Sequence, residues 1–245
     1  MQFFNLCHDD KFPLARWADN ANKMDTVICP VNAGHQRGTE RLNDLTITLP
    51  SSRIGDFIWT WYSECLITEK VKHLFEEAGL TGYETRPVTV SKVYKYYKEK
   101  DIVKINGKAW GVTNVIRDRK PKKIPPLLEV IVKGFAGNAH LDSKIELTYK
   151  CEACGLLEFT RKSGQVLVDE TQWDGSDFFT VWPLPLYILV SERVKDLIER
   201  HELTNCELIP IERMMSNRFT GLGVDMRCLE NIKRLTEWKG KLLGE

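Results

Sequence analysis

The sequence predicts an α+β fold: two related strand-helix-strand halves with cysteine knuckle hairpins, and an antiparallel central region between them. Three observations predict it. Residues 65–88, "CLITEKVKHLFEEAGLTGYETRPV", and residues 188–211, "ILVSERVKDLIERHELTNCELIPI", align at a separation of 123 residues with ten identities in twenty-four positions. Cysteine-bearing segments stand at matching places upstream, "ICPVNAG" from Ile28 and "KCEACG" from Lys150. Between the copies lies a basic stretch with strand-like alternation. Self-similarity at a fixed separation marks an internal repeat.

Bulk properties bound the class. A chain of 245 residues with 42% apolar and 28% charged residues can bury a sizeable core. A net charge of +1 argues against a protein that coats nucleic acid over its whole surface. No run reaches the ~18 apolar residues of a membrane span. The start, "MQFFNLCHDDKFPLARW", lacks the basic and apolar regions of an export signal. Seven cysteines, an odd number without such a signal, read as reduced thiols or metal ligands in the cytoplasm.

Residues 1–90 form the first pseudo-repeat half. Its knuckle is degenerate. With Cys29 aligned on Cys151, the second cysteine position falls on Asn32, and His35 is the nearest replacement ligand. "CLI" is a short apolar run of strand type. Thr68 then takes the N-cap position, where its hydroxyl is expected to accept from first-turn amides. Glu69 favours the positive end of the helix dipole. Val71, Leu74, Phe75 and Ala78 make one apolar stripe. Gly82 follows where a left-handed residue turns the chain. Pro87 then places the extended "YETRPV" at an edge or strand end.

Residues 91–150 are read as basic central strands. Positions 91–133 hold twelve Lys/Arg against four Asp/Glu. "KVYKYYKEK" alternates basic and aromatic residues, "RDRKPKKIPP" is a loop, and "LLEVIVKGFAG" and "KIELTYK" read as strands.

Residues 151–245 form the second half. It contains the CXXCG knuckle, an Asp174-Gly175 turn, and core candidates Phe178, Phe179 and Trp182. The helix after Ser191 carries Val194, Leu197, Ile198 and His201 on one stripe, and Asn205 takes the place of Gly82. Leu229, Ile232 and Leu235 at helical spacing behind Asp225 predict a terminal docking helix.

The repeat brings Cys29 and His35 from one half towards Cys151 and Cys154 from the other. Four such ligands suit a tetrahedral structural zinc stapling the two halves together. A knuckle without metal and a redox-active thiol pair are the alternatives, although a redox pair usually opens a helix. Cys7, Cys65, Cys206 and Cys228 read as small apolar residues.

Paired knuckles ahead of two related halves, followed by "WDGSDFF" and "LVSERVKDLIE…LTNCELIPI", resemble the bacterial double-CXXCG motif proteins, which include immunity proteins of polymorphic toxin systems. Cys151, Cys154 and Gly155 match the second motif, and Cys29 and Gly34 match the first, with Asn32 at a cysteine position. The resemblance implies a cytoplasmic, non-enzymatic protein that binds and neutralises a cognate protein toxin, with no membrane partner. The competing expectation is a zinc-ribbon module that binds nucleic acid through residues 91–123, whose tyrosines among lysines can stack bases. No helix-borne metal motif, nucleophile motif or phosphate loop points to catalysis.

Overall fold

A computed structural model describes residues 1–9, 11–105, 108–118, 123–161, 165–214 and 222–225. These form a mixed α+β fold, mostly sheet. The strands of the N-terminal part are β1 (Phe3–Cys7), β2 (Arg16–Trp17), β3 (Met24–Val27), β4 (Arg37–Arg41), β5 (Thr46–Leu49), β6 (Phe57–Trp59) and β7 (Cys65–Thr68). Helix α1 (Glu69–Glu77) leads to β8 (Tyr83–Ile105), β9 (Lys108–Asp118), β10 (Leu127–Val132) and β11 (Gly134–Asn138). Then come β12 (Ile145–Lys150), β13 (Leu156–Arg161), β14 (Phe178–Trp182), β15 (Ile188–Ser191), α2 (Glu192–Arg200), β16 (Glu207–Pro210) and β17 (Leu222–Asp225). The terminal helix expected behind Asp225, and Cys228 with it, lie outside the described residues. Among the described residues no helix is long and apolar enough to cross a membrane.

One sheet runs β11-β14-β15-β1-β16, and a second runs β2-β5-β8-β10-β7-β6 with β9 paired to β8. A three-stranded sheet, β12-β13-β17, and the hairpin β3-β4 complete the set.

The two segments aligned in sequence take the same course. Each runs strand, nine-residue helix, strand. Gly79 and Gly82 have φ of 60° and 82°, and their counterparts Glu202 and Asn205 have 48° and 63°. Left-handed backbone is therefore required at these turns, and Asn is among the few side chains that adopt it readily.

The strand orders also correspond. In the second sheet β10 lies between β7 and β8, with Leu127 opposite Thr68 and Leu128 opposite Pro87. In the first sheet β1 lies between β15 and β16, with Phe3 opposite Ser191 and Phe4 opposite Pro210. The N-terminal strand thus completes the sheet of the C-terminal segment, and a strand from the middle of the chain completes the sheet of the N-terminal segment. The next positions, Asn5 and Glu129, are both buried polar residues.

Both helices lay their apolar stripes on a shared core. Val71 and Phe75 of α1 and Val194, Leu197 and Ile198 of α2 pack in one cluster with Phe4, Phe57, Val130 and Phe178. The Phe75 and Phe178 rings are 5.1 Å apart. Each such side chain contributes ~1.5–3 kcal/mol by leaving water. Ala78 and His201, expected on the stripes, are exposed, because both helices end there.

The predicted cap chemistry differs. Thr68 and Ser191 occupy the N-cap positions in extended conformation, but neither hydroxyl caps its helix. Ser191 Oγ instead donates to Asp177 Oδ1 at 2.7 Å. Asp177 also accepts from the Thr81 amide at 2.9 Å and pairs with Arg193 at 2.8 Å. The reciprocal contact joins Asp56 to the Thr204 amide at 2.9 Å and to Lys70 at 3.0 Å. Each aspartate fastens the turn that follows the other segment's helix.

Candidate metal centre

Short turns place every ligand. Cys29 follows β3. Asn32 then opens a single 3-10 turn, Ala33–His35, with its Oδ1 accepting from the Gly34 amide at 2.9 Å. On the other side Cys151 follows β12. The Cys151 amide donates to Leu156 O, and the Gly155 amide donates to Cys151 O, each at 2.8 Å. Gly155 has φ of 71°, so a residue without Cβ lets the knuckle close behind Cys154.

These turns bring the predicted quartet together. Cys29 Sγ lies 3.8 Å from Cys151 Sγ, and Cys154 Sγ lies 3.7 Å from His35 Nδ1. Ligand atoms of all four residues fall within 4.8 Å of one another. A disulfide needs ~2.05 Å between sulfurs, and all three cysteines are free. Zinc at ~2.3 Å from sulfur and ~2.0 Å from nitrogen sets tetrahedral S···S near about 3.8 Å and S···N near about 3.5 Å. The spacing fits a metal ion. Cys29, His35 and Cys151 are buried and Cys154 is half-buried.

The four groups shift in different directions: two thiols come down, while the third thiol and the imidazole go up. Burial pushes the Cys29 thiol up. Burial also opposes ionisation of Cys151, but the amides of Cys154 and Ala153 outweigh it and bring that thiol down. At Cys154 burial is again opposed and exceeded, here by Arg37 and the Leu156 amide, and the thiol titrates at about 6. His35 is raised, mainly by its contact with Cys154.

Two neighbours of the ligands escaped the sequence reading. Arg37 Nη1 donates to Cys154 Sγ at 3.4 Å, and its Nη2 donates to Cys154 O at 2.8 Å. Tyr149 sets its ring edge-on to His35 with centroids 5.6 Å apart. Tyr149 precedes Cys151 by two residues, a same-face spacing on an extended chain. That spacing was the available signal. Arg37 gave none, since strand β4 could not be registered from sequence. Cys7 and His8 stay out of the cluster: Cys7 Sγ contacts Glu207 O at 3.7 Å, and His8 Nε2 contacts Phe12 O at 2.8 Å. Burial raises the Cys65 and Cys206 thiols, the latter to about 12, as expected of cysteines that pack as small apolar residues.

Comparison with protein-family models and with curated proteins gives no match.

Proposed function

We propose that this protein is a non-catalytic immunity protein, held together by one structural zinc, that binds and neutralises a cognate toxin in the bacterial cytoplasm. The observation that carries the reading is the closed ligand set. Cys29 and His35 come from the loop of the first hairpin, and Cys151 and Cys154 from the second, with Gly155 completing the CXXCG pattern. Four protein ligands leave no open position for substrate, which is the design of a structural site rather than a catalytic one. Thiolates favour zinc among the common divalent ions of the cell.

The fold supports the same reading. β1 completes the sheet of the second repeat segment, β10 completes that of the first, and the two segments interlock through Asp56 and Asp177. The zinc joins their knuckles. The product is a rigid scaffold, and rigidity keeps the entropy cost of capture low.

The nucleic-acid reading has less support. Lys92 Nζ lies 4.7 Å from the Tyr94 ring centroid, so one face of that ring already holds a cation rather than standing free for a base. Single-stranded DNA retention with a steep salt dependence would favour it.

The test is co-expression with the product of the adjacent gene. Cells making that product should survive only when this chain is present, and the two proteins should purify as a stoichiometric complex. The isolated chain should carry one zinc by elemental analysis. Absence of both rescue and complex would overturn the immunity reading.

A further inference from the structure

We propose that the aromatic groove at the β2 end of the second sheet is the anchor site for the toxin, and that it takes a segment presenting an apolar side chain beside a carboxylate. The proposal rests on the immunity reading. The groove holds about 570 Å³, and its wall includes Arg16, Trp17, Asp19, Asn20, Trp61 and Tyr62.

Its aromatic content is exposed. Trp61 and Tyr62 retain 64% and 63% of their accessible surface. The Tyr62 ring contacts that of Trp17, with centroids 4.5 Å apart. The Arg16 guanidinium lies 5.8 Å from the Trp61 ring centroid. These rings form a connected apolar surface, not scattered single residues, and such surfaces mark binding sites.

The turn that carries them is fixed in advance. Thr60 Oγ1 accepts from the amides of Tyr62 at 3.1 Å and Glu64 at 3.2 Å, and it donates to the Glu64 carboxylate. Ser63 closes the turn at φ of 69°. Trp17 Nε1 donates to Glu64 Oε1 at 3.0 Å, so the same carboxylate braces both walls. Rings held this way lose little freedom on binding.

Trp, Tyr and Arg are also the residues that dominate binding energy at protein interfaces.

The Arg16 guanidinium points to the chemistry of the occupant, since Asp19 in the same wall forms no ion pair with it. Among the described residues no carboxylate lies within ion-pair distance of Arg16. Stacked on an aromatic face, its guanidinium keeps its donors for a planar anion, and a carboxylate matches that fork.

The experiment uses the full chain and an inactivated form of the adjacent-gene product as probe. Binding is measured by calorimetry for the wild type, Trp61→Ala, Tyr62→Ala and Arg16→Glu, with thermal unfolding of each. Trp61→Ala should weaken binding about thirtyfold or more, Arg16→Glu should weaken it with a loss of salt dependence, and melting should not change. Unchanged affinity in all three variants would overturn the groove proposal while leaving the immunity reading intact. Melting that falls together with affinity would show that the chain's own residues cover the groove, which also overturns it. No binding by the wild type would overturn the immunity reading and this proposal with it.

Discussion

Asn32 donates from Nδ2 to Nε2 of His35 across 3.0 Å, while its Oδ1 is held by the Gly34 amide. The ring nitrogen facing Cys154 is then Nδ1, and in this arrangement it carries the hydrogen. A metal ion at Nδ1 needs the opposite tautomer, with hydrogen on Nε2. Asn32 turns Nδ2, a donor only, to Nε2 while its Oδ1 takes the Gly34 amide, so in this arrangement it does not serve both Nε2–H and Gly34.

An aspartate at this position could serve both, since each oxygen of a carboxylate accepts. Asn32→Asp should therefore tighten zinc binding about tenfold, in line with the effect of outer-shell partners on metal sites. Competition against a chromophoric chelator measures it. Unchanged or weaker affinity would mean that His35 does not bind metal through Nδ1.

Metal removal should loosen the molecule measurably. At free zinc about a thousand times the dissociation constant, a ligand bound only by the folded state adds about 4 kcal/mol. Chelation of the wild type should lower the melting temperature, and Cys151→Ser should abolish both the metal content and the response to chelator. Cys65→Ser should retain its zinc.

Cys154 should be the most reactive thiol of the metal-stripped protein. Its thiol titrates at about 6, so its alkylation rate should rise through that pH and level off by neutrality. An ordinary thiol continues to gain rate towards ~8.5. Iodoacetamide labelling read by mass spectrometry should show Cys154 modified at least about tenfold faster than Cys65 at neutral pH, and zinc should protect it.

The two interlocking aspartates should differ in weight. Asp177 is buried at 2% exposure and holds Thr81, Ser191 and Arg193. Asp177→Ala strands those groups and should cost about 2–4 kcal/mol in urea unfolding. Asp56 is more open to solvent, and Asp56→Ala should cost about 1 kcal/mol.

Asp56 also predicts an acid dependence. Burial opposes its ionisation, but Lys70 and Thr204 outweigh burial and hold the carboxyl below its ordinary range. A carboxyl lowered by folding contributes stability above its unfolded pKa of ~3.9 and loses it as the pH falls through the folded value. The stability difference between the wild type and Asp56→Asn should therefore shrink as the pH is lowered from about 6 to about 3.

The helices and the Cys/His quartet were legible because identity carried them. Leu66, Glu69, Val71, Leu74 and Pro87 recur in the second copy, and Cys151-x-x-Cys154-Gly155 pins the alignment of Cys29. The exchange of strands was not legible. "FFNLC" and "LLEVIV" share an apolar strand pattern without identities, and strand pairing is decided by packing across the sheet rather than by local sequence. Dividing the chain at residues 90 and 150 also placed β10 in a central region, although its partners are β7 and β8. The groove escaped for a related reason. Nothing in "WTWYSE" marks which ring turns outward, and only the backbone of the Thr60 turn directs Trp61 outward while Trp59 is buried.

The pairing of β1 with β15 and β16 governs the order in which the molecule can assemble. During synthesis β1 leaves the ribosome long before β15 and β16, the two strands it pairs with. Contacts so distant in sequence delay folding, and an unpaired apolar strand is open to wrong partners while it waits. The β15-β1-β16 part of the first sheet can therefore close only after β16 has been made, and until both partners are made the edges of β1 stay unsatisfied.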